Sequence, residues 1–241
     1  MKNLIIRKIL RKIEKFFYPS PIFVVDEYIK WLSYANAGML NPGNIYIFDY
    51  VIKNLKSNFP IIEIGSFCGL STNVINYFVL KYKKKNLLIT CDEWEFENMK
   101  DKFVGNSNIS FKQYKEFIKD SFKRNVYFFS KTKLPLTIQK NSDDFFGLWA
   151  KNIKIKDVFG RDVLLGGKIS FCYIDGNHSY EFTKRDFENV DKFLEKGGFI
   201  LFDDSADGVS FGCAKLAREL CQNKRYSLVI KNPNYLFQKN L

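Results

Sequence analysis

"IIEIGSFCGLSTNVI", residues 61–75, decides the fold. A mostly apolar run from Pro60 to Ile64 stops at Gly65, a second glycine follows at Gly69, and Ser71-Thr72 open a stretch with helical spacing. The segment reads as strand, tight turn, helix. Glycines at such a turn let the chain bend sharply and let a ligand touch bare backbone, while the helix start offers unpaired N–H groups. A dinucleotide fold wants G-x-G-x-x-G for its pyrophosphate, whereas this turn has two glycines and an acid, Glu63, just before the first. That acid repels a pyrophosphate and suits a cation. A plain β–α corner needs glycine too, so the turn alone does not separate a ligand site from a bend.

Working outward, short apolar runs recur at Asn86 to Thr90, ended by Cys91-Asp92, then at Leu134 to Ile138, Ile169 to Ile174 and Phe199 to Phe202. Between them lie helical periodicities over Ser71 to Lys81, Phe111 to Arg124, Tyr180 to Glu195 and Gly208 to Cys221. Strand and helix in alternation predict an α/β domain with a mostly parallel sheet covered on both faces by right-handed crossovers. Tyr226 to Lys231 and Tyr235 to Lys239, joined by Asn232-Pro233-Asn234, add a hairpin, so the sheet has seven strands and an antiparallel C-terminal strand. Asn232-Pro233-Asn234-Tyr235 is read as nothing more than the turn of that hairpin. The stretch 150–168, with Gly160, Gly166 and Gly167, fits no crossover helix and is read as an insertion, a loop or small hairpin. Ahead of the first strand come a helix over the opening residues, a second from about Phe23 through Leu32, and a third capped by Asn41, with Pro42 in its first turn, running through Leu55. Residues 1–58 thus form an N-terminal helical section and 59–241 one α/β domain.

Hydrophobic residues make up 46% of the 241, with 25 Phe and 13 Tyr, enough to fill a core and to exclude a disordered chain. The net charge of +12 invites a nucleic-acid reading, but Lys and Arg are scattered, with local clusters at 2–15 and 81–85, and follow no nucleic-acid-binding motif. Cys68, Cys91, Cys172, Cys213 and Cys221 are odd in number and form no CxxC pair, which points to a reducing, cytoplasmic setting and no zinc site. No apolar run reaches membrane-spanning length. Arg7, Lys8, Arg11 and Lys12 interrupt the opening "MKNLIIRKILRKIEKFF", so it is not a signal peptide. Ile5, Ile6, Ile9, Ile13, Phe16 and Phe17 recur at helical spacing, and residues 2–17 read as a basic amphipathic helix. Such a helix suits a peripheral seat on the anionic inner face of a membrane, or packing on its own domain or on a second subunit in a homo-oligomer.

Glu63-x-Gly65-x-x-x-Gly69 resembles the first motif of class I S-adenosylmethionine-dependent methyltransferases. The resemblance implies a Rossmann-like methyltransferase fold in which Glu63, Gly65, Ser66, Gly69, Ser71 and Thr72 lie against the methionine and ribose parts of the cofactor. It places Asp92, at the end of the second strand, on the ribose hydroxyls, which a carboxylate can accept two at a time. Glu93 is the alternative for that role, and Trp94 packs either the adenine or the core. Asn141-Ser142-Asp143, after the third strand, match the family's adenine contact, although Ser-Asp at a helix start is equally a routine cap.

Ile174-Asp175 ends the fourth strand and Phe202-Asp203-Asp204 the fifth. Adjacent parallel strands lie about 4.8 Å apart, so their tips gather these carboxylates into a small volume that calls for a hard divalent cation. The plainer reading makes Asp203 or Asp204 a helix cap. The run "YIDGNHSYEFTKRDFENVDKFLEKGGFILFDDS", residues 173–205, is similar to a metal-dependent methyltransferase branch that includes sugar O-methyltransferases of the macrocin type. That similarity implies Mg2+ held by Asp175, Asp203 and Asp204. Some of those relatives carry a further aspartate as base where this chain has Asn177, and an amide cannot take a proton. His178, the only histidine, or a metal-bound hydroxide is left as the candidate base, with Asp175 also catalytic, or else the histidine simply bonds to a strand-end carboxylate. The resulting expectation is S-adenosylmethionine-dependent O-methylation of a hydroxyl on a sugar or glycan precursor, with the N-terminal helices as a lid. Two rivals remain: a Rossmann oxidoreductase, and a basic membrane- or RNA-associated binding protein with a vestigial pocket.

Overall fold

The computed structural model describes residues 21–95 and 103–240, so the amphipathic stretch 2–17 lies outside the described residues. Its central sheet has the order β3-β2-β1-β6-β7-β9-β8. The strands are β1 (Ile61–Ile64), β2 (Leu88–Cys91), β3 (Leu136–Ile138), β6 (Ile169–Ile174), β7 (Leu194–Phe202), β8 (Tyr226–Lys231) and β9 (Tyr235–Lys239). From β3 to β7 every pairing is parallel; β9 runs against both of its neighbours. The seven-stranded, mostly parallel sheet read from the sequence is the one observed.

β1 and β6 are buried along their whole length, because both faces of the sheet are covered. Alternate side chains divide between two cores. Ile61, Leu88, Phe171, Tyr173, Phe199 and Leu201 pack with α1 (Glu27–Ala35), α2 (Pro42–Asn54) and α3 (Leu70–Lys81). On the other face, Ile62, Ile89, Cys172, Ile174, Ile200 and Phe202 pack with α5 (Ser142–Ala150), α6 (Tyr180–Asp191) and α7 (Gly212–Leu220). A third, smaller core forms where Ile118, Phe122 and Val126 of α4 (Phe111–Phe129) meet Cys68 and Trp94 above the glycine turn. No helix among the described residues is long and apolar enough to cross a membrane.

Several boundaries move, each for a local reason. α1 begins at Glu27 rather than Phe23, because Asp26 caps it by accepting the Ile29 N–H at 3.2 Å, and residues 23–25 stay outside any helix. β7 begins at Leu194, paired with Ile169, rather than at Phe199, and α6 correspondingly stops at Asp191. The intervening Lys196-Gly197-Gly198 hides this part of the strand from a pattern search, and Gly197, at φ +79°, carries the irregularity. Within 150–168, β4 (Lys154–Lys156) and β5 (Asp162–Leu164) form a two-stranded antiparallel hairpin, anchored on the core by Val163 and Leu165.

The chain leaves β1 toward β2 on one side and returns to β6 on the other. The sheet's switch point is therefore at the C-terminal ends of β1 and β6, where open α/β sheets hold their ligands.

Candidate active site

Gly65 and Gly69 both adopt left-handed backbone, at φ +82° and +88°, which L-residues rarely reach. A Cβ on Gly65 would stand 2.0 Å from the Asp175 carbonyl oxygen, so only glycine lets the β1 turn press against the β6 tip. Glu63, just before it, is fully buried. Its Oε2 accepts the Thr72 hydroxyl at 2.5 Å, while Oε1 is buried and has no hydrogen-bond partner among the described residues. Burial pushes this carboxyl up to about 7, with the Ser71 and Thr72 hydroxyls pulling it down and the Asp92 charge pushing it further. A buried acceptor without a partner, beside a backbone bend that tolerates no Cβ, is a fitting cradle for the cationic methionine end of S-adenosylmethionine.

Asp92 holds the same turn together. Its Oδ2 accepts the N–H groups of Ser66 and Phe67 at 2.8 and 2.9 Å and the Ser66 hydroxyl at 3.3 Å, and Oδ1 accepts the Trp94 N–H at 2.6 Å. Phe67 and Trp94 both have positive φ, +44° and +53°, uncommon for aromatic residues, so Asp92 stabilises two strained positions at once. The Trp94 ring is buried in the core with its Nε1–H on the Phe67 carbonyl at 2.9 Å, which settles it as core rather than an adenine platform. Asn141 caps α5. Ser142 donates to the buried Asp186, and Asp143 pairs with Arg185 and accepts from Asn189, so both side chains engage α6.

At the tips of β6 and β7, one ligand atom each from Asp175, His178 and Asp203 lies within 4.8 Å of the others. Asp204 is not in that group. Its Oδ2 lies 3.2 Å from His178 Nδ1, while His178 Nε2 lies 3.5 Å from Asp175 Oδ1, so the imidazole sits between the two acids. The Asp175 carboxyl is held well above the usual carboxylate range, first by desolvation and then by the neighbouring Asp203. Two carboxylates in this proximity share a proton or take a cation, and their oxygens fit a hard divalent ion with the imidazole beside it. Asn177, next to the cluster, spends its Oδ1 on the Ser179 N–H at 2.9 Å. A separate cavity of about 390 Å³, lined in part by Trp149, Lys168, Lys192 and Phe193, lies at the opposite, N-terminal ends of β6 and β7 and holds none of these residues.

Three residues at the cluster were not singled out from the sequence. Tyr173 donates its hydroxyl to Asp175 Oδ2 at 3.0 Å, Asn44 donates to Asp203 Oδ1 at 2.5 Å, and Asn234 donates to the same oxygen at 2.9 Å. Asn234 belongs to the turn read only as a hairpin end. A signal for Asn44 was present, since it lies one helical turn from Ile47 and Phe48 on the apolar face of α2, where an amide needs a buried partner.

A family model described as a methyltransferase domain matches residues 62–205. No curated protein matches the chain. Among solved structures, the O-methyltransferase TomG from Streptomyces achromogenes, in complex with SAM, aligns with a TM-score of 0.56 at 11% identity, over 91% of this chain and 92% of its own. An O-methyltransferase from Bacillus cereus in complex with SAH aligns with a TM-score of 0.56 at 12% identity, over 91% and 93%. The calicheamicin methyltransferase CalS11 aligns with a TM-score of 0.54 at 16% identity, over 90% and 95%. At these identities the structures share a fold with the chain, whereas the family match spans more than half of its sequence and includes the glycine turn and both strand tips. The chain belongs to the methyltransferase-domain family and is an S-adenosylmethionine-dependent enzyme of the class I, Rossmann-like fold.

Proposed function

We propose that the chain transfers the methyl group to a hydroxyl oxygen of a sugar or glycan precursor, with a divalent cation, Mg2+ by the chemistry of its donors, at the acidic end of the cleft. The observation that carries this reading is the grouping of Asp175, His178 and Asp203 directly against the glycine turn, with ligand atoms within 4.8 Å of one another. The glycan acceptor is supported by the motif similarity over residues 173–205 and by the likeness to CalS11, a TDP-rhamnose 3'-O-methyltransferase.

S-adenosylmethionine supplies an electrophilic methyl on a sulfonium, and a cation at the acids would hold neighbouring acceptor hydroxyls and lower their pKa. Glu63 offers its unpartnered oxygen to the cofactor's positive end, with Gly65 and Gly69 giving backbone contact and Ser66, Ser71 and Thr72 lining the turn. Asp92 and Glu93 serve the ribose end, Asp92 through Oδ1, which accepts the Trp94 N–H and keeps a second acceptor site for a hydroxyl. The backbone around Ser142 and Asp143 serves the adenine end. Asp175 and Asp203 would hold the cation. Asp204 would orient His178: with Nδ1–H donated to Asp204, the lone pair on Nε2 would take the acceptor hydroxyl's proton, and the cofactor would supply its methyl to that oxygen with its sulfur leaving as the thioether.

The test is incubation with methyl-labelled cofactor, with and without Mg2+, against a panel of diols and nucleotide sugars, with mass spectrometry of the products. Label is expected on a hydroxyl oxygen only in the presence of the cation. Asp175→Asn is expected to lower turnover by at least about 100-fold and to remove the response to Mg2+. Full activity of that variant would exclude the metal scheme, and transfer to an amine would exclude the O-methyl reading.

A further inference from the structure

Every hydrogen of two buried amides points toward the acidic cluster. Asn44 and Asn234 are 0% and 1% exposed, and Asp203 is 5% exposed. Asn234 Oδ1 accepts the N–H groups of Ser205 and Ala206 at 2.9 and 3.1 Å, which fixes the orientation of its amide and turns Nδ2 the other way. The two Nδ2 hydrogens of Asn234 go to Asp203 Oδ1 at 2.9 Å and Asn44 Oδ1 at 3.0 Å. With its Oδ1 thus occupied, Asn44 directs its own Nδ2 hydrogens to Asp203 Oδ1 at 2.5 Å and the Tyr173 hydroxyl at 3.3 Å. Tyr173, accepting from Asn44, has one hydrogen to give, and it goes to Asp175 Oδ2 at 3.0 Å. None of the Asn44 and Asn234 amide hydrogens or the Tyr173 hydroxyl hydrogen is left over, and none can reverse without breaking its neighbour's bond.

The network depends on one close approach. A Cβ on Gly43 would lie 1.9 Å from the Asn232 carbonyl oxygen, so glycine alone lets the β8–β9 turn sit against the start of α2 and bring Asn234 to Asn44. Asn232 secures that approach by donating to the Gly43 carbonyl at 3.1 Å and to the Ile22 carbonyl at 2.7 Å, and by accepting the Ile22 N–H at 2.6 Å.

We propose that Asn44 and Asn234 are positioning residues for the cation site, holding Asp203 through its Oδ1 and Asp175 through Tyr173 so that both carboxylates are preset for a divalent ion. The inference rests on the reading of Asp175, His178 and Asp203 as that site. Neither amide touches substrate; they act through the carboxylates, and the turn set aside as a hairpin end becomes part of the active-site support.

The test uses the full chain, Mn2+ as the probe, free Mn2+ measured by electron paramagnetic resonance, and S-adenosylmethionine binding measured separately by calorimetry. Asn44→Leu keeps the volume and the apolar setting of α2 while removing the donors, Asn234→Ala removes the second donor, and Gly43→Ala displaces the turn without touching either amide. Each is expected to raise the Kd for Mn2+ by about 10- to 100-fold while leaving S-adenosylmethionine affinity within about twofold. Asp203→Asn separates the two levels of the inference. If it leaves Mn2+ binding intact, or if the unaltered chain binds no Mn2+, the cation reading and the positioning role fall together. If Asp203→Asn abolishes binding but Asn44→Leu and Asn234→Ala bind Mn2+ as the unaltered chain does, the positioning role alone is overturned. Should Asn234→Ala fail to fold, Asn44→Leu and Gly43→Ala decide the question.

Discussion

Asp186 is 3% exposed, on the α6 face that covers the sheet, and among the described residues its side chain accepts from the Ser142 hydroxyl. Burial pushes its carboxyl from 3.8 up to about 7, which the Ser142 bond only partly offsets. A carboxyl whose folded-state value is raised binds more protons folded than unfolded, so its contribution is fully present below the unfolded value and is lost as pH rises through about 7. Urea denaturation of the cofactor-free chain is therefore expected to show falling stability between about pH 4 and pH 7, and Asp186→Asn to remove part of the fall, on the order of 2–4 kcal/mol at the upper end. Glu63 titrates in the same window and keeps a residual slope in the variant. An unchanged slope in Asp186→Asn would show that Asp186 is ionised throughout. The chemistry of such residues was legible as residue type alone: Glu63 and Asp175 stand at strand ends, where the local pattern announces them. Their partners were not. The role of Asp92 as fastener of Phe67 and Trp94 depends on a turn whose φ values no residue-type rule predicts for aromatic side chains.

Helix ends, as elements, carry the tightest constraints around the site. Gly212 opens α7, and a Cβ there would stand 2.0 Å from the Tyr180 backbone nitrogen at the start of α6. The Gly212 N–H also donates to the His178 carbonyl at 2.8 Å, so the two helix starts and the histidine form one contact. Gly212→Ala must push α7 away from α6 and is expected to cost about 1–3 kcal/mol in chemical denaturation, while shifting the His178 ring resonances in NMR spectra. Unchanged stability together with unchanged His178 resonances would mean that the backbones have room to spare. At this scale the sequence was informative about which elements exist and less so about where they end. Continuous apolar runs mark β1 and β6 because both faces are buried, but the same logic overlooked the first half of β7, where Lys196-Gly197-Gly198 interrupts the apolar signal.

On the scale of the molecule, the cleft at the switch point predicts a ligand-linked gain in stability. S-adenosylmethionine at about 100 times its Kd is expected to stabilise the fold by about 2.7 kcal/mol, raising Tm by about 5–10 °C for a chain of this length. NAD at the same concentration is expected to leave Tm unchanged, since Glu63 faces the turn where a pyrophosphate would lie. A larger shift with NAD than with S-adenosylmethionine would argue against the cofactor assignment; thermal scans with each ligand settle it.

The sequence by itself determined the strand-turn-helix unit, the mostly parallel sheet with its terminal hairpin, and the delivery of Asp175 and Asp203 to neighbouring strand tips. These follow from local hydrophobic spacing and from the register that parallel pairing imposes. Tertiary structure alone decided that His178 rather than Asp204 joins the two acids, that Glu63 keeps one oxygen without a hydrogen-bond partner among the described residues, and that Asn44 and Asn234 meet at Asp203. Asn44 and Asn234 are separated by 190 positions along the chain. Their contact exists because the α2 start and the β8–β9 turn are packed together through a glycine, an encounter that no pattern within either segment specifies.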